Sequence, residues 1–293
     1  MSLEELEALA ARYVSKNAGQ RQALLPNLHV FQRDETSAFE ASIYDPVICL
    51  ILRGSKETHI GAQSVVLQRG DALLVSHDLP VMSRITQTPY CALILSIDIG
   101  IVRSFYVQVG EVAHETQAAR SLSASVAQGA LLEALGRYLR LMEDPLEAQV
   151  LGPLILRELH YRLLISPIGG MLRNLLAVDS HASRVAKAIT RIRRDFREPL
   201  VVADLAQVAG MSQSSFHEHF KAVTGTTPLQ YQKDLRLIEA QSLLREGQRS
   251  VATTSFEVGY ESPTHFSRDY SRKFGCSPKH HLAQVSLSPG GLI

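Results

Sequence analysis

Leu205-Ala-Gln-Val-Ala-Gly-Met-Ser-Gln-Ser-Ser-Phe-His-Glu-His-Phe-Lys-Ala-Val-Thr-Gly-Thr-Thr-Pro228 and Thr254-Ser-Phe-Glu-Val-Gly-Tyr-Glu-Ser-Pro-Thr-His-Phe-Ser-Arg-Asp-Tyr-Ser-Arg-Lys-Phe-Gly-Cys-Ser-Pro278 are two versions of one pattern. Ala206 and Ser255, like Gly210 and Gly259, stand 49 positions apart. Ser212/Ser262, Phe216/Phe266, Phe220/Tyr270, Gly225/Gly275 and Pro228/Pro278 stand 50 apart, so one residue is added in the second copy between Gly259 and Phe266. Seven matched pairs within about 25 residues mark an internal repeat.

Each copy reads as a helix–turn–helix. A small residue four places before the glycine lets two helices approach, and the glycine supplies the freedom of the tight turn. Ser212 and Ser262 stand where an N-cap belongs, and Pro263 follows at the tolerated first helical position. The aromatics, four apart, share the inward face of each second helix. Gly225 and Gly275 end those helices, and the prolines keep them from restarting.

The outward faces then carry Ser214, His217, Glu218 and Lys221 in the first copy, and Thr264, His265, Arg268 and Arg272 in the second. Any one of these residues alone is more often a solvated surface side chain. Together, on the second helices of a duplicated helix–turn–helix, they suit reading base edges and holding phosphates in a major groove. Pro228 to Arg245 joins the copies; as a helix it spans roughly 25 Å at 1.5 Å per residue. That is the scale needed to set two recognition helices in successive major grooves, about 34 Å apart on one face of a duplex.

Upstream, Ser183 is expected to cap a helix in which Val185, Ala188, Ile189, Ile192 and Phe196 share a face, with Pro199 ending it. Residues 28–101 differ in texture: short Val/Ile/Leu runs such as Val47–Leu52, Ala72–Val75 and Cys91–Ile97 alternate with polar turns at Arg53-Gly54-Ser55, Gly61-Ala62 and Arg69-Gly70-Asp71. Short strands at this spacing predict an antiparallel sandwich or barrel. Helical spacing marks Leu3–Val14, Thr116–Val126, Ala130–Met142 and Gln149–Leu164, with Pro145 ending the third. The face Leu131, Leu132, Leu135, Tyr138, Leu139, Met142 reads equally as packing on the barrel or as a dimer interface.

The chain has 293 residues, 45% of them hydrophobic and 20% charged, which fits about two globular domains and excludes disorder and fibre. The longest strongly apolar run, Val47–Leu52, has six residues, too few for a membrane span. The acidic start Met1-Ser-Leu-Glu-Glu-Leu-Glu is unlike a secretory signal, and three scattered cysteines fit a reducing cytoplasm. The net charge of +1 hides an asymmetry: residues 1–183 hold 15 Lys/Arg against 19 Asp/Glu, and residues 184–293 hold 15 against 10. A basic C-terminal part is consistent with a polyanionic partner.

These residues resemble the AraC/XylS family of bacterial transcription regulators. The likeness is closest over 184–282, in Ala-Gly-Met-Ser-x-Ser-x-Phe with Phe-Lys-x-x-Thr-Gly-x-x-Pro-x-x-Tyr, and in Val-Gly-Tyr-Glu-Ser-x-x-x-Phe-Ser-Arg with Phe-Gly-x-x-Pro. Residues 20–175 are similar to the family's cupin-like N-terminal domain, and His160-Tyr-Arg-Leu-Leu with Ile168-Gly-Gly to its helical closing segment. The resemblance implies an α+β fold of two domains. Residues 1–178 would form a cupin-like β-barrel with a helical segment from about 116. Residues 179–293 would form an all-α domain with helix–turn–helix units at about 201–225 and 251–275. DNA contacts would fall at Ser214, His217, Glu218, Lys221, Thr264, His265 and Arg268, with Arg272 and Lys273 nearer phosphate. Glu218 stands where a basic or amide residue is common, Ser255 where the family has Ala, and Ser271 where Lys is frequent.

The implied function is a cytoplasmic, non-enzymatic regulator that binds two adjacent major grooves and senses a small effector in its barrel. RNA polymerase and a second copy of the chain stay open as partners. The alternative is a metal-dependent cupin enzyme fused to a helical tail. The barrel offers isolated His29, His59 and His77 and no His-x-His pair, so no metal or other cofactor is expected. The one His-x-His, His217-Glu-His219, falls on a recognition helix, with His219 expected to pack behind it. Cys49 and Cys91 are weak effector-site candidates, since no basic neighbour in sequence would lower their pKa.

Overall fold

A computed structural model describes residues 1–18, 25–61, 63–109, 121–176 and 179–280. The chain opens with α1 (Leu3–Asn17), whose capping box closes the first turn: Ser2 Oγ accepts from Glu5 N, and Glu5 accepts from Ser2 N. Leu6, Leu9, Ala10 and Tyr13 form its buried stripe.

Seven strands follow: β1 (Leu28–Arg33), β2 (Glu40–Tyr44), β3 (Val47–Ile60), β4 (Gln63–Gln68), β5 (Asp71–Val75), β6 (Leu79–Ser96) and β7 (Leu122–Val126). All recorded pairings are antiparallel, along β1-β6-β3-β5-β7, with β2 on β6 and β4 on β3. The two long strands organise the sheet. One part of β6 pairs with β2 and another with β1, while β3 turns from β5 to β4 along its length. Arg53-Gly54-Ser55 is therefore not a turn between strands. It is an irregularity inside β3, where the register against β6 shifts. Ile48 to Leu52 are all buried, the continuous apolar run of a strand covered on both faces.

Between β6 and β7 come α2 (Ile99–Ser104) and α3 (Tyr106–Val109). The helix expected over Thr116–Val126 is replaced by β7, whose Leu122–Val126 pairs with Asp71–Val75; positions 116–120 lie outside the described residues. The pattern Leu-Ser-Ala-Ser-Val alternates at period two, and an open edge on β5 decides for a strand.

A helical layer closes the domain: α4 (Gly129–Arg140), a 3-10 turn at Leu141–Glu143, α5 (Pro145–Ile165), a second 3-10 turn at Pro167–Gly169, and α6 (Gly170–Leu176). Pro145 begins α5 rather than simply ending the helix before it, at the position where its missing N–H is no loss; Asp144 caps it. Leu131, Leu135, Tyr138 and Leu139 on α4 are buried, with α4 lying against α1 and α5. That face serves internal packing and is not free for a second copy.

The remainder is helical: α7 (His181–Arg194), α8 (Val202–Val208), α9 (Gln213–Thr224), α10 (Pro228–Arg245), α11 (Val251–Glu257) and α12 (Pro263–Phe274). Ser180, not Ser183, caps α7. Its hydroxyl accepts from Ser183 N at 3.0 Å, and Ser183 itself is buried in the first turn. The helix stops at Arg194, before Phe196. One buried apolar cluster runs from α1 through the sheet and α4–α6 into α7–α9 and Leu235 of α10. A second cluster, Leu237, Ala240, Leu243, Leu244, Val258, Phe266 and Tyr270, belongs to the last helices. Among the described residues no helix is long and apolar enough to cross a membrane.

Candidate nucleic-acid interface

The two helix–turn–helix units repeat one another bond for bond. In the first, Met211 N donates to Ala206 O; in the second, Tyr260 N donates to Ser255 O, both at 2.9 Å. The turn glycines adopt left-handed backbone, with φ +62° at Gly210 and +88° at Gly259. Ala206 and Ser255 are both buried at the helix crossing. The extra hydroxyl of Ser255 donates to Ala252 O at 2.7 Å on its own helix, so serine costs nothing where alanine would serve.

Ser212 Oγ accepts from Ser215 N, and Ser262 Oγ from His265 N, so both predicted N-caps form. Pro263 is the first residue of α12. Phe216, Phe220, Phe266 and Tyr270 are fully buried, and each pair of ring centroids is 5.4 Å apart. Gly225 and Gly275 close the helices with N–H bonds to Lys221 O and Ser271 O, both 2.9 Å.

With the aromatics inside, the predicted outer residues are outside. Ser214, His217, Glu218 and Lys221 on α9 are exposed, as are Thr264, His265, Arg268 and Arg272 on α12. The two faces differ in setting. Glu218 and Lys221 border a cleft of about 680 Å³ shared with Gln63 of β4, with Met171 and Asn174 of α6, and with His181 of α7. His219 lies behind the face, its ring stacked on His181 at 3.6 Å and 10°. Burial, and the neighbouring His219, pull the His181 pKa down.

On α12, Arg272 is 70% exposed and pairs with Asp269 at 3.3 Å, a surface contact that water and salt weaken. Lys273, expected near phosphate, turns inward instead: its Nζ meets Asp234 of α10 at 2.7 Å, and both side chains are under 20% exposed. Position 273 lies one residue from the outer face, and a helix rotates about 100° per residue.

Sequence reading missed the residues that fix the units in space. Arg236 of α10 donates to Phe196 O (2.6 Å), Gly259 O (2.7 Å), Arg197 O (3.0 Å) and Glu198 O (2.9 Å). Gln232 Nε2 donates to Phe196 O and Glu198 O. These two side chains tie α10 to the loop after α7, and Arg236 also holds the turn of the second unit. The one hint was an arginine and a glutamine on what proved to be the inner face of the connecting helix.

The three histidines of the strand region serve different places. His29 is exposed on β1, His59 meets Glu57 at 2.6 Å, and His77 is buried beside α7. Among the described residues no group of three or more His, Cys, Asp or Glu is placed to hold a metal. Cys49 and Cys91 are buried, and desolvation pushes both thiols up, which disfavours the nucleophilic thiolate.

A family profile described as "AraC-type transcriptional regulator N-terminus" matches residues 24–171, and one described as "Helix-turn-helix domain" matches residues 205–284. Among curated proteins, HTH-type transcriptional regulator CdhR of Pseudomonas aeruginosa is 29% identical over 141 residues, 48% of this chain and 39% of the relative. HTH-type transcriptional regulator AlkR of Acinetobacter baylyi is 35% identical over 100 residues, 34% of this chain and 33% of the relative. The matched stretches thus span well under two thirds of these relatives' length. Among solved structures, wild-type ToxT from Vibrio cholerae, with bound unsaturated fatty acid, has a TM-score of 0.54 at 13% identity, covering 90% of this chain and 96% of its own. That likeness is one of fold.

Proposed function

The chain belongs to the AraC/XylS family of transcriptional regulators, and on that premise we propose that it binds double-stranded DNA sequence-specifically to regulate transcription. One observation carries the reading: α9 and α12 turn the same aromatic positions inward and hold polar faces, with Lys221, Arg268 and Arg272 among them, open to solvent. A helix presented this way fits a major groove, with short polar side chains and arginine meeting base edges and flanking cations meeting phosphates. At 1.5 Å per residue the 18 residues of α10 span about 27 Å, on the scale of successive grooves.

Ser214, His217, Thr264, His265 and Arg268 are assigned to base contact, with Lys221 and Arg272 at phosphate. Glu218 can accept from a cytosine amino group, which would make it a discriminating residue rather than an affinity-giving one. Lys273 supports the helix from within. Residues 179–293 form the DNA-binding part. Residues 1–178 hold a small effector and communicate its presence through the contacts between the sheet and α7–α10. No reaction is assigned to the chain, which on this reading works in the cytoplasm. Contact with RNA polymerase belongs to the same reading and rests on family membership alone.

With the α4 face taken up by internal packing, a second copy has another docking face. Leu146, Val150 and Leu154 of α5, at i, i+4 and i+8, are 68%, 59% and 63% exposed. An apolar stripe of this kind supports helix-on-helix pairing across a two-fold axis. Sedimentation should return a dimer that Leu154→Glu converts to monomer.

The central experiment is selection of bound sequences from a random duplex pool by the full chain, followed by titration of the winner across salt. Two conserved half-sites about one helical turn apart, with log K falling linearly against log salt, are expected. Salt-independent binding, or none, removes the reading.

A further inference from the structure

A cavity of about 290 Å³ opens in the N-terminal domain between β1, β2, β3 and β6, and α10 reaches it with its last residue, Arg245. Its size lies at the lower edge of small-molecule sites, which run from roughly 300 to 1,000 Å³. Phe31, Ile85, Tyr90 and Ile94 give it apolar walls.

Four cations line this space: Arg33, Lys56, Arg84 and Arg245. Two of them are already neutralised. Arg33 meets Glu40 at 2.9 Å, and Arg84 meets Glu57 at 2.7 Å. The other two have no carboxylate within ion-pair distance among the described residues. Lys56 is part-buried in the middle of β3, donates its N–H to the Tyr44 hydroxyl and stands 4.9 Å from the centre of that ring. Glu40 acts on it only from further off. The surroundings of Lys56 favour its charged form, yet no carboxylate pairs with it directly, so an anion entering the cavity would meet an unshared ammonium.

We propose that this cavity binds a small organic acid, its carboxylate held between Lys56 and Arg245 and its apolar body among Phe31, Tyr90 and Ile94. The inference rests on the effector-binding reading given above and names the chemical class of the effector. Lys56 belongs to the sheet and Arg245 to the helix that spaces the two recognition helices. A carboxylate shared between them would tie ligand occupancy to the setting of α10.

The test is calorimetric titration of the full chain with benzoate and hexanoate, with their neutral amides benzamide and hexanamide, and with inorganic phosphate. At least one acid should bind, with its amide at least about tenfold weaker, since the charge-assisted contact is lost. Lys56→Gln should erase that preference and Lys56→Arg should restore it. Arg245→Gln should weaken the acid and abolish any effect of the acid on DNA affinity; cooperative unfolding of each variant is checked alongside. Equal binding of acid and amide overturns the proposal. So does a preference that survives Lys56→Gln, binding of phosphate in place of the acids, or no binding of any probe at millimolar concentration. DNA affinity without ligand is measured on the same samples. If salt-dependent DNA binding persists while the acids fail, only the ligand class falls; if DNA binding is absent, the regulatory reading falls with it.

Discussion

The Nε2 nitrogen of His77 lies 3.3 Å from the carbonyl oxygen of Ala182, joining the turn between β5 and β6 to the first turn of α7. A carbonyl oxygen can only accept, so the proton sits on Nε2 and points across the boundary, while the lone pair of Nδ1 faces the hydroxyls of Ser76 and Ser121, both at 3.0 Å. The next residue extends the clasp. Asp78 O accepts from Tyr231 of α10 at 2.6 Å, and its carboxylate meets Arg193 of α7, which also holds Asp45, both at 2.7 Å.

Burial holds the His77 pKa down at about 4, against 6.5 for a free imidazole. Between these values the unfolded chain takes up a proton that the folded chain refuses. Stability is therefore fully present above pH 6.5 and declines as pH falls toward 4, by up to about 3 kcal/mol from this group. Denaturant titrations across that range should show a steeper decline for the native chain than for His77→Gln. Equal slopes would mean that His77 is accessible to protons in the folded protein.

The matched turn glycines should respond unequally to alanine. A Cβ on Gly259 would lie 2.0 Å from the Arg197 carbonyl oxygen, while one on Gly210 meets nothing within 4 Å. Gly210→Ala should cost about 1 kcal/mol, the strain of left-handed backbone alone. Gly259→Ala should cost several-fold more and loosen the second unit from the loop after α7. Thermal melts of the two variants side by side decide it.

Arg236→Met removes the side-chain donor from the Arg197 and Gly259 carbonyl oxygens and leaves those of Phe196 and Glu198 to Gln232 alone. A loss of about 2–4 kcal/mol in stability is expected. Because the second unit is displaced as a body, DNA affinity should fall alike for matched and mismatched sequences. A change of base preference instead would mean that Arg236 reaches the groove.

Three neighbours on α12 should separate three roles. Arg268→Ala is expected to cost about 1–3 kcal/mol of binding and relax preference at one base position. Arg272→Ala should weaken all sequences alike and reduce the salt slope by about 1. Lys273→Met should leave the salt slope unchanged and destabilise the fold by about 2 kcal/mol, since Asp234 loses its cationic partner and keeps only the Gln230 amide. Competition titrations at several salt concentrations, with melts, distinguish the three.

The duplicated unit was legible because its determinants are local. Gly210, Ser212, Phe216, Phe220 and Gly225 act on backbone and packing within a few turns of chain, so spacing alone reveals them. Leu122–Val126 was not legible: five residues of Leu, Ser, Ala and Val suit helix or strand, and the free edge of β5, some fifty residues earlier, decided the matter. Ser180 displaced Ser183 as a cap for a related reason. Both serines can cap, and burial of Ser183 against the core fixed which one does.

The sequence by itself determined the two helix–turn–helix units, their inward aromatics and the side chains on their outer faces, because helical periodicity converts spacing directly into direction. Tertiary structure alone decided what those elements meet: Lys273 on Asp234, His77 on Ala182, and Lys56 in one cavity with Arg245. Residues 39, 105 and 189 positions apart share no local signal. Their neighbourhood exists only once the sheet has curled and the helices have packed on it.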